Sequence, residues 1–182
     1  MRTRMVVGAL AAVVASGCAE NGNTPDPTEP GVVMVPVYAK GDAPGQTDHF
    51  RTHATGDEEV PANASQAQGQ AMFKLSEDGT ALHYKVIVAN IENVTQSHIH
   101  RAAKGVNGGI VVWLYPSAPP LQLIPGRSQG VLAEGVITSA NVIGSLGAEG
   151  LAGLLREMRA GNTYVNVHTS QFPPGEIRGQ LD

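Results

Sequence analysis

From about residue 47 onward the chain alternates apolar and polar positions with a period of two, the spacing that sends successive side chains to opposite faces of a strand. Gln68 to Leu75 sets Gly69, Ala71, Phe73 and Leu75 on one face. Glu77-Asp78-Gly79 supplies a hairpin turn, and Thr80 to Asn90 answers with Leu82, Tyr84, Val86 and Val88 on one face and His83 and Lys85 on the other. His49 to Thr55 reads as the strand before this hairpin. Ile110 to Tyr115 is almost wholly apolar, which predicts burial on both faces, and Gly130 to Thr138 reads as a further strand. Near the C-terminus, Tyr164 to Thr169 turns Val165 and Val167 toward a core and Tyr164, Asn166 and His168 toward a polar face. Glu176 to Leu181 turns Ile177 and Leu181 inward, with Glu176, Arg178 and Gln180 outward. Helical spacing occurs once: Leu146, Leu151, Leu154, Leu155 and Met158, with Ser145 as cap and Gly161 as stop. These elements, roughly eight short strands and one short helix, predict an all-β antiparallel sandwich or barrel-like fold.

Composition agrees with many short strands. Apolar residues make up 42% of the 182 residues, but aromatics only 4%, so the core must be built mainly from Val, Ile, Leu and Ala. Turns are well supplied by 22 Gly and 12 Pro.

The first 46 residues follow a different pattern. Residues 1–17 read as an export signal, with Arg2 and Arg4 ahead of the apolar run Met5 to Val14, which is too short to span a bilayer. Ala15-Ser16-Gly17-Cys18 resembles the lipobox of bacterial lipoproteins, with Ala15 where Leu is usual. On that reading Cys18 is lipidated and anchors the exported protein in the cell envelope. Ala19 is compatible with the outer membrane of a Gram-negative cell. An ordinary signal peptide with an incidental cysteine is the alternative. Residues 18–46 carry Pro25, Pro27, Pro30, Pro36 and Pro44 among small polar residues, as an extended tether does. Val32 to Tyr38 is an edge strand at most, given Pro36. Residues 47–182 form the single domain.

Several function classes drop out. Cys18 is the sole cysteine, which rules out a disulfide within the chain and a cysteine nucleophile in the domain. The net charge is −4, and losing Arg2 and Arg4 with the leader makes it more negative, so no basic patch suggests nucleic acid. The run Gly105 to Gly109 lacks the Lys-Ser/Thr of a phosphate loop and leads into a strand, which argues against a nucleotide. Ser97 and Ser170 lie near histidines without a Gly-X-Ser-X-Gly elbow. No residue is assigned as catalytic, and an enzyme is disfavoured.

The candidate chemistry is histidine. In Ser97-His98-Ile99-His100, the two imidazoles share one face of a strand while Ile99 takes the other; His168 stands on the polar face of a second strand. If those strands are neighbours, the rings converge. His-X-His with a third histidine is a ligand set for copper or zinc that leaves one position open. Glu176 is placed to orient a ligating histidine from behind. The competing reading has these histidines hydrogen-bonding to adjacent strands and to the Gly-rich loop, fixing an exposed sheet face. Arg178 reads as half of a cross-strand ion pair, worth only about 0–1 kcal/mol when exposed. Trp113 and Tyr115 read as core or rim, and His49, His53 and His83 as solvated.

Together, Ser97-His98-Ile99-His100, the Gly-rich loop, the apolar Ile110 to Leu114 strand, and Tyr164-Val165-Asn166-Val167-His168-Thr169 through Pro174-Gly175-Glu176-Ile177-Arg178-Gly179-Gln180-Leu181 closely resemble the CHRD domain, over about His49 to Asp182. The resemblance implies an all-β sandwich; the fold expected for the chain is an antiparallel sandwich, immunoglobulin-like or superoxide-dismutase-like, with one short helix. The resemblance also implies extracellular binding, with no settled activity. The family commonly has Gly after the second histidine, where this chain has Arg101. Two functions follow: a lipid-tethered binding module for a protein, glycan or matrix partner, or a copper- or zinc-binding protein using His98, His100 and His168.

Overall fold

A computed structural model describes residues 49–182. The proposed leader, Cys18 and the proline-rich tether lie outside the described residues. The strands are β1 (His49–Thr55), β2 (Gln68–Leu75), β3 (Leu82–Arg101), β4 (Gly109–Tyr115), β5 (Ile124–Ile137), β6 (Thr163–Thr169) and β7 (Ile177–Gln180), with helix α1 (Gly150–Arg159) between β5 and β6.

The sandwich expectation needs correction. All seven strands belong to one antiparallel sheet in the order β2-β1-β7-β6-β3-β4, and β2 also pairs with β3, so the sheet closes on itself like a barrel. The cause is β3, which is 20 residues long. Its first half, Leu82 to Ala89, lies between β2 and β5, whereas Ser97 to Arg101 lies between β4 and β6. Between the halves, Asn90 (φ 56°) and Asn93 (φ 54°) occupy the left-handed region, beside breaks in the β5 register. Asn tolerates that conformation better than most residues, and such irregularities bend a strand. The bend lets one strand serve both sides of the structure, where the sequence pattern reads as two strands.

Closure is completed by β7, which pairs with β6 and meets β1 at Thr55↔Arg178. Beyond this pair, Arg51 and Asp182 exchange backbone hydrogen bonds of 3.1 and 3.3 Å. The close approach depends on Gly179: a Cβ there would stand 2.5 Å from the His53 carbonyl oxygen and closer still to the Thr52 hydroxyl.

The inward face carries the predicted apolar residues. Phe73, Leu82, Val86, Ile99, Leu114, Val165, Val167, Ile177 and Leu181 are buried in one core, and α1 adds Leu151, Leu154, Leu155 and Met158. Ser145 does not cap α1. It lies in a short 3-10 turn, Gly144–Leu146, and α1 begins five residues after it, where Gly150 adopts a positive φ of 57°. Gly161, with φ 69°, ends the helix as expected.

Candidate metal centre

Strand register brings the three histidines together. On β3, His98 lies opposite Asn166 of β6 and His100 opposite Tyr164, while His168 lies opposite Gln96, diagonal to His98. Trp113 of β4 pairs with His98, and Arg178 of β7 with Asn166. Ile99, Val165 and Val167 point into the barrel, so the polar residues stand on its outer face. That face is not open to solvent, contrary to expectation: His98 is 0% exposed, His168 6% and His100 8%. It is closed by the loop from Ala102 to Gly108, which receives hydrogen bonds from His100, Arg178 and Gln180, and by Pro173.

One ring nitrogen from each histidine lies within 4.8 Å of the other two. The hydrogen bonds fix which nitrogens carry protons. His100 Nδ1 lies 2.9 Å from the Gly108 carbonyl oxygen, and His168 Nδ1 lies 2.9 Å from that of Pro173. A carbonyl only accepts, so both Nδ1 atoms carry the hydrogen and both Nε2 atoms present lone pairs. His168 Nε2 accepts from His98 Nδ1 at 3.3 Å, and it lies 3.0 Å from the Asn166 side-chain amide, which must turn its NH2 toward this lone pair to hydrogen-bond with it. Among the described residues, His98 Nε2 and His100 Nε2 are buried with no partner at hydrogen-bond geometry, although the Asn166 side chain lies close enough to act on His100. Bare lone pairs of this kind are unfavourable by about 1–3 kcal/mol each. Zinc–nitrogen bonds of about 2.0–2.1 Å in tetrahedral geometry separate two nitrogens by about 3.3 Å. At 3.3 Å, His98 Nδ1 and His168 Nε2 form a hydrogen bond instead, with Nδ1 donating, which leaves the lone pair of His98 on Nε2.

Electrostatics keep the rings neutral. Burial is the main cause for all three: it pushes His98 down to about 3, helped by its two neighbours, pushes His100 down to about 4, and lowers His168. Neutral imidazole is the ligating form.

Behind the triad, Tyr164 stacks on His100 with centroids 4.8 Å apart and planes 7° from parallel, and the Arg178 guanidinium lies 3.5 Å over the Tyr164 ring. Arg178 was expected to face outward in an ion pair. It is instead 2% exposed, and it donates to Asn107 Oδ1 at 3.1 Å and to the Val106 carbonyl at 2.9 Å. Its positive charge also helps hold His100 below its usual value. Glu59 is buried against Gly175; burial raises its carboxyl to about 7 despite the opposing pull of Arg178.

Glu176 is buried, but its carboxylate accepts from Ser65 and Thr169 hydroxyls, both at 2.6 Å. The expected orienting role for Glu176 falls instead to the Gly108 and Pro173 carbonyls. Trp113 is half-buried, with its ring edge-to-face with His98 at 4.3 Å. Arg101 pairs with Glu157 at 3.3 Å and leaves the triad alone. His49, His53 and His83 are exposed and apart from it. Asn166 escaped assignment, although its spacing of two from His168 already put both on one face. The carbonyl acceptors left no side-chain signal to find.

A family model described as the CHRD domain matches residues 50–181. This bears out the resemblance read from the His98-Ile99-His100 and C-terminal motifs. No curated protein and no solved structure matches the chain.

Proposed function

Because the chain belongs to the CHRD domain family, we propose that it is an extracytoplasmic binding module whose ligand is a transition-metal ion, copper or zinc, held by His98, His100 and His168. The observation that carries this reading is the pair of buried Nε2 atoms on His98 and His100 with no partner at hydrogen-bond geometry among the described residues, within a triad whose ring nitrogens lie within 4.8 Å of one another. A donor set of neutral imidazoles, two of them braced by backbone carbonyls, suits an ion of this kind. Lipidation at Cys18 would hold the module at the envelope surface, with residues 18–46 as spacer. The role is binding rather than catalysis.

The test uses the full chain with a histidine-free affinity tag, stripped of metal and then equilibrated with Cu(I) under nitrogen, with Cu²⁺ or with Zn²⁺. About one ion per chain should survive gel filtration, and His98→Ala and His168→Ala should each lose it while keeping the wild-type circular dichroism spectrum. A wild-type chain that retains no ion refutes the proposal. Localisation is checked separately, by whether Cys18→Ser moves the protein from the membrane to the soluble fraction.

A further inference from the structure

This inference rests on the reading that the triad holds a metal, and it concerns which ion is held. The donors are all neutral. Among the described residues, the His, Cys, Asp and Glu side chains converging here are the three histidines alone. The side-chain amide of Asn166, 3.0 Å from His168 Nε2, carries no charge either. Glu176 is engaged by Ser65 and Thr169, and Arg101 is offset by Glu157.

The fixed charge beside the triad is positive. Arg178 is fully enclosed and stacked on the same Tyr164 ring that stacks on His100. Glu59, which feels Arg178, is raised to about 7 by burial, so near neutral pH it is only partly ionised and offsets only part of the charge.

Removing an ion from water is penalised by the square of its charge, and repulsion from a fixed cation by the charge itself. Both terms weigh more heavily on a divalent ion. A dry site of neutral ligands beside a buried guanidinium therefore discriminates by ion charge. We propose that the triad is a site for monovalent copper, Cu(I), for which three imidazoles suffice as ligands, and that Arg178 sets the preference against Zn²⁺ and Cu²⁺. Copper enters and leaves as Cu(I), with no electron transferred at the site.

The metal-free full chain with a histidine-free tag is titrated under nitrogen with Cu(I) against bathocuproine disulfonate. Zn²⁺ and Cu²⁺ are titrated separately against colorimetric chelators. Cu(I) should bind one per chain and more tightly than either divalent ion. Arg178→Gln should raise affinity about tenfold for Cu(I) and about a hundredfold for the divalent ions, because the relieved repulsion scales with ion charge. Arg178→Lys, which keeps the charge, should keep the wild-type ranking. If Arg178→Gln does not fold, judged by its thermal transition, the wild-type ranking and the Lys variant decide. A wild-type chain that prefers a divalent ion, or an Arg178→Gln chain whose affinities rise equally for all three, overturns the Cu(I) assignment and leaves the metal site standing. A chain that binds none of the three ions overturns the metal site itself.

Discussion

Lowering the pH of the metal-free protein tests the buried histidines against a buried carboxyl of opposite sign. In the folded state His98 and His100 lie at about 3 and 4, against 6.5 when unfolded. Between those values the unfolded chain binds more protons, so the histidines' stability is intact above pH 6.5 and lost as pH falls toward 4. Each fully titrating group contributes about 1.4 kcal/mol per pH unit, so the two together remove about 5 kcal/mol between pH 7.5 and 4.5. Glu59 works the other way. Its folded value near 7 exceeds 4.5, so the folded chain binds the extra proton, and stability rises by about 3 kcal/mol over the same interval. The net expected loss is about 2 kcal/mol for the wild type, a large fraction of a typical stability of about 5–15 kcal/mol. In Glu59→Gln the full loss of about 5 kcal/mol emerges. Urea unfolding across this pH range, with a chelator present and the single Trp113 as fluorophore, measures both slopes. Equal slopes in wild type and Glu59→Gln would refute the Glu59 assignment. A Glu59→Gln stability flat with pH would refute the claim that the histidines are buried and neutral.

Three further outcomes follow from contacts already described. Gly179→Ala forces β1 away from β7 at Thr52 and His53 and should lower stability by about 2–3 kcal/mol in urea unfolding. Gly108→Ala puts a methyl against the Arg101 carbonyl and displaces the acceptor of His100; metal affinity should fall about 10-fold or more, read by chelator competition. Tyr164→Phe keeps the ring between His100 and Arg178 but removes the hydroxyl that accepts from Gly108 N–H at 3.2 Å, and should cost about 1 kcal/mol by thermal unfolding.

Strand faces were legible in the sequence, whereas closure and enclosure were not. Alternation set the bounds of β1 and β2 as observed and put His98, His100 and His168 on faces away from Ile99, Val165 and Val167. A period of two says which side a residue takes but not how strands join around a ring, so a sandwich and a barrel read alike. Asn90 and Asn93 look like turn residues, yet the chain bends there and goes on pairing, which made one long strand look like two. Arg178, flanked by Ile177 and Gly179, has the pattern of a solvent-facing charge. Its burial comes from a loop about 70 residues earlier, through bonds to Val106 and Asn107. The triad was therefore readable as a direction, but its dry, cation-lined setting was not.

The keystone position of β7 bears on the order of assembly. The ring lacks one stave until residues 177–180, near the end of the sequence, become available to bridge β1 and β6. Until then both neighbours present unpaired rims, and Arg178 is missing from the stack behind Tyr164. A growing chain can thus form the β2–β3 hairpin early but must wait for β7, which follows every other strand, before the cylinder shuts and the imidazole chamber takes its final shape.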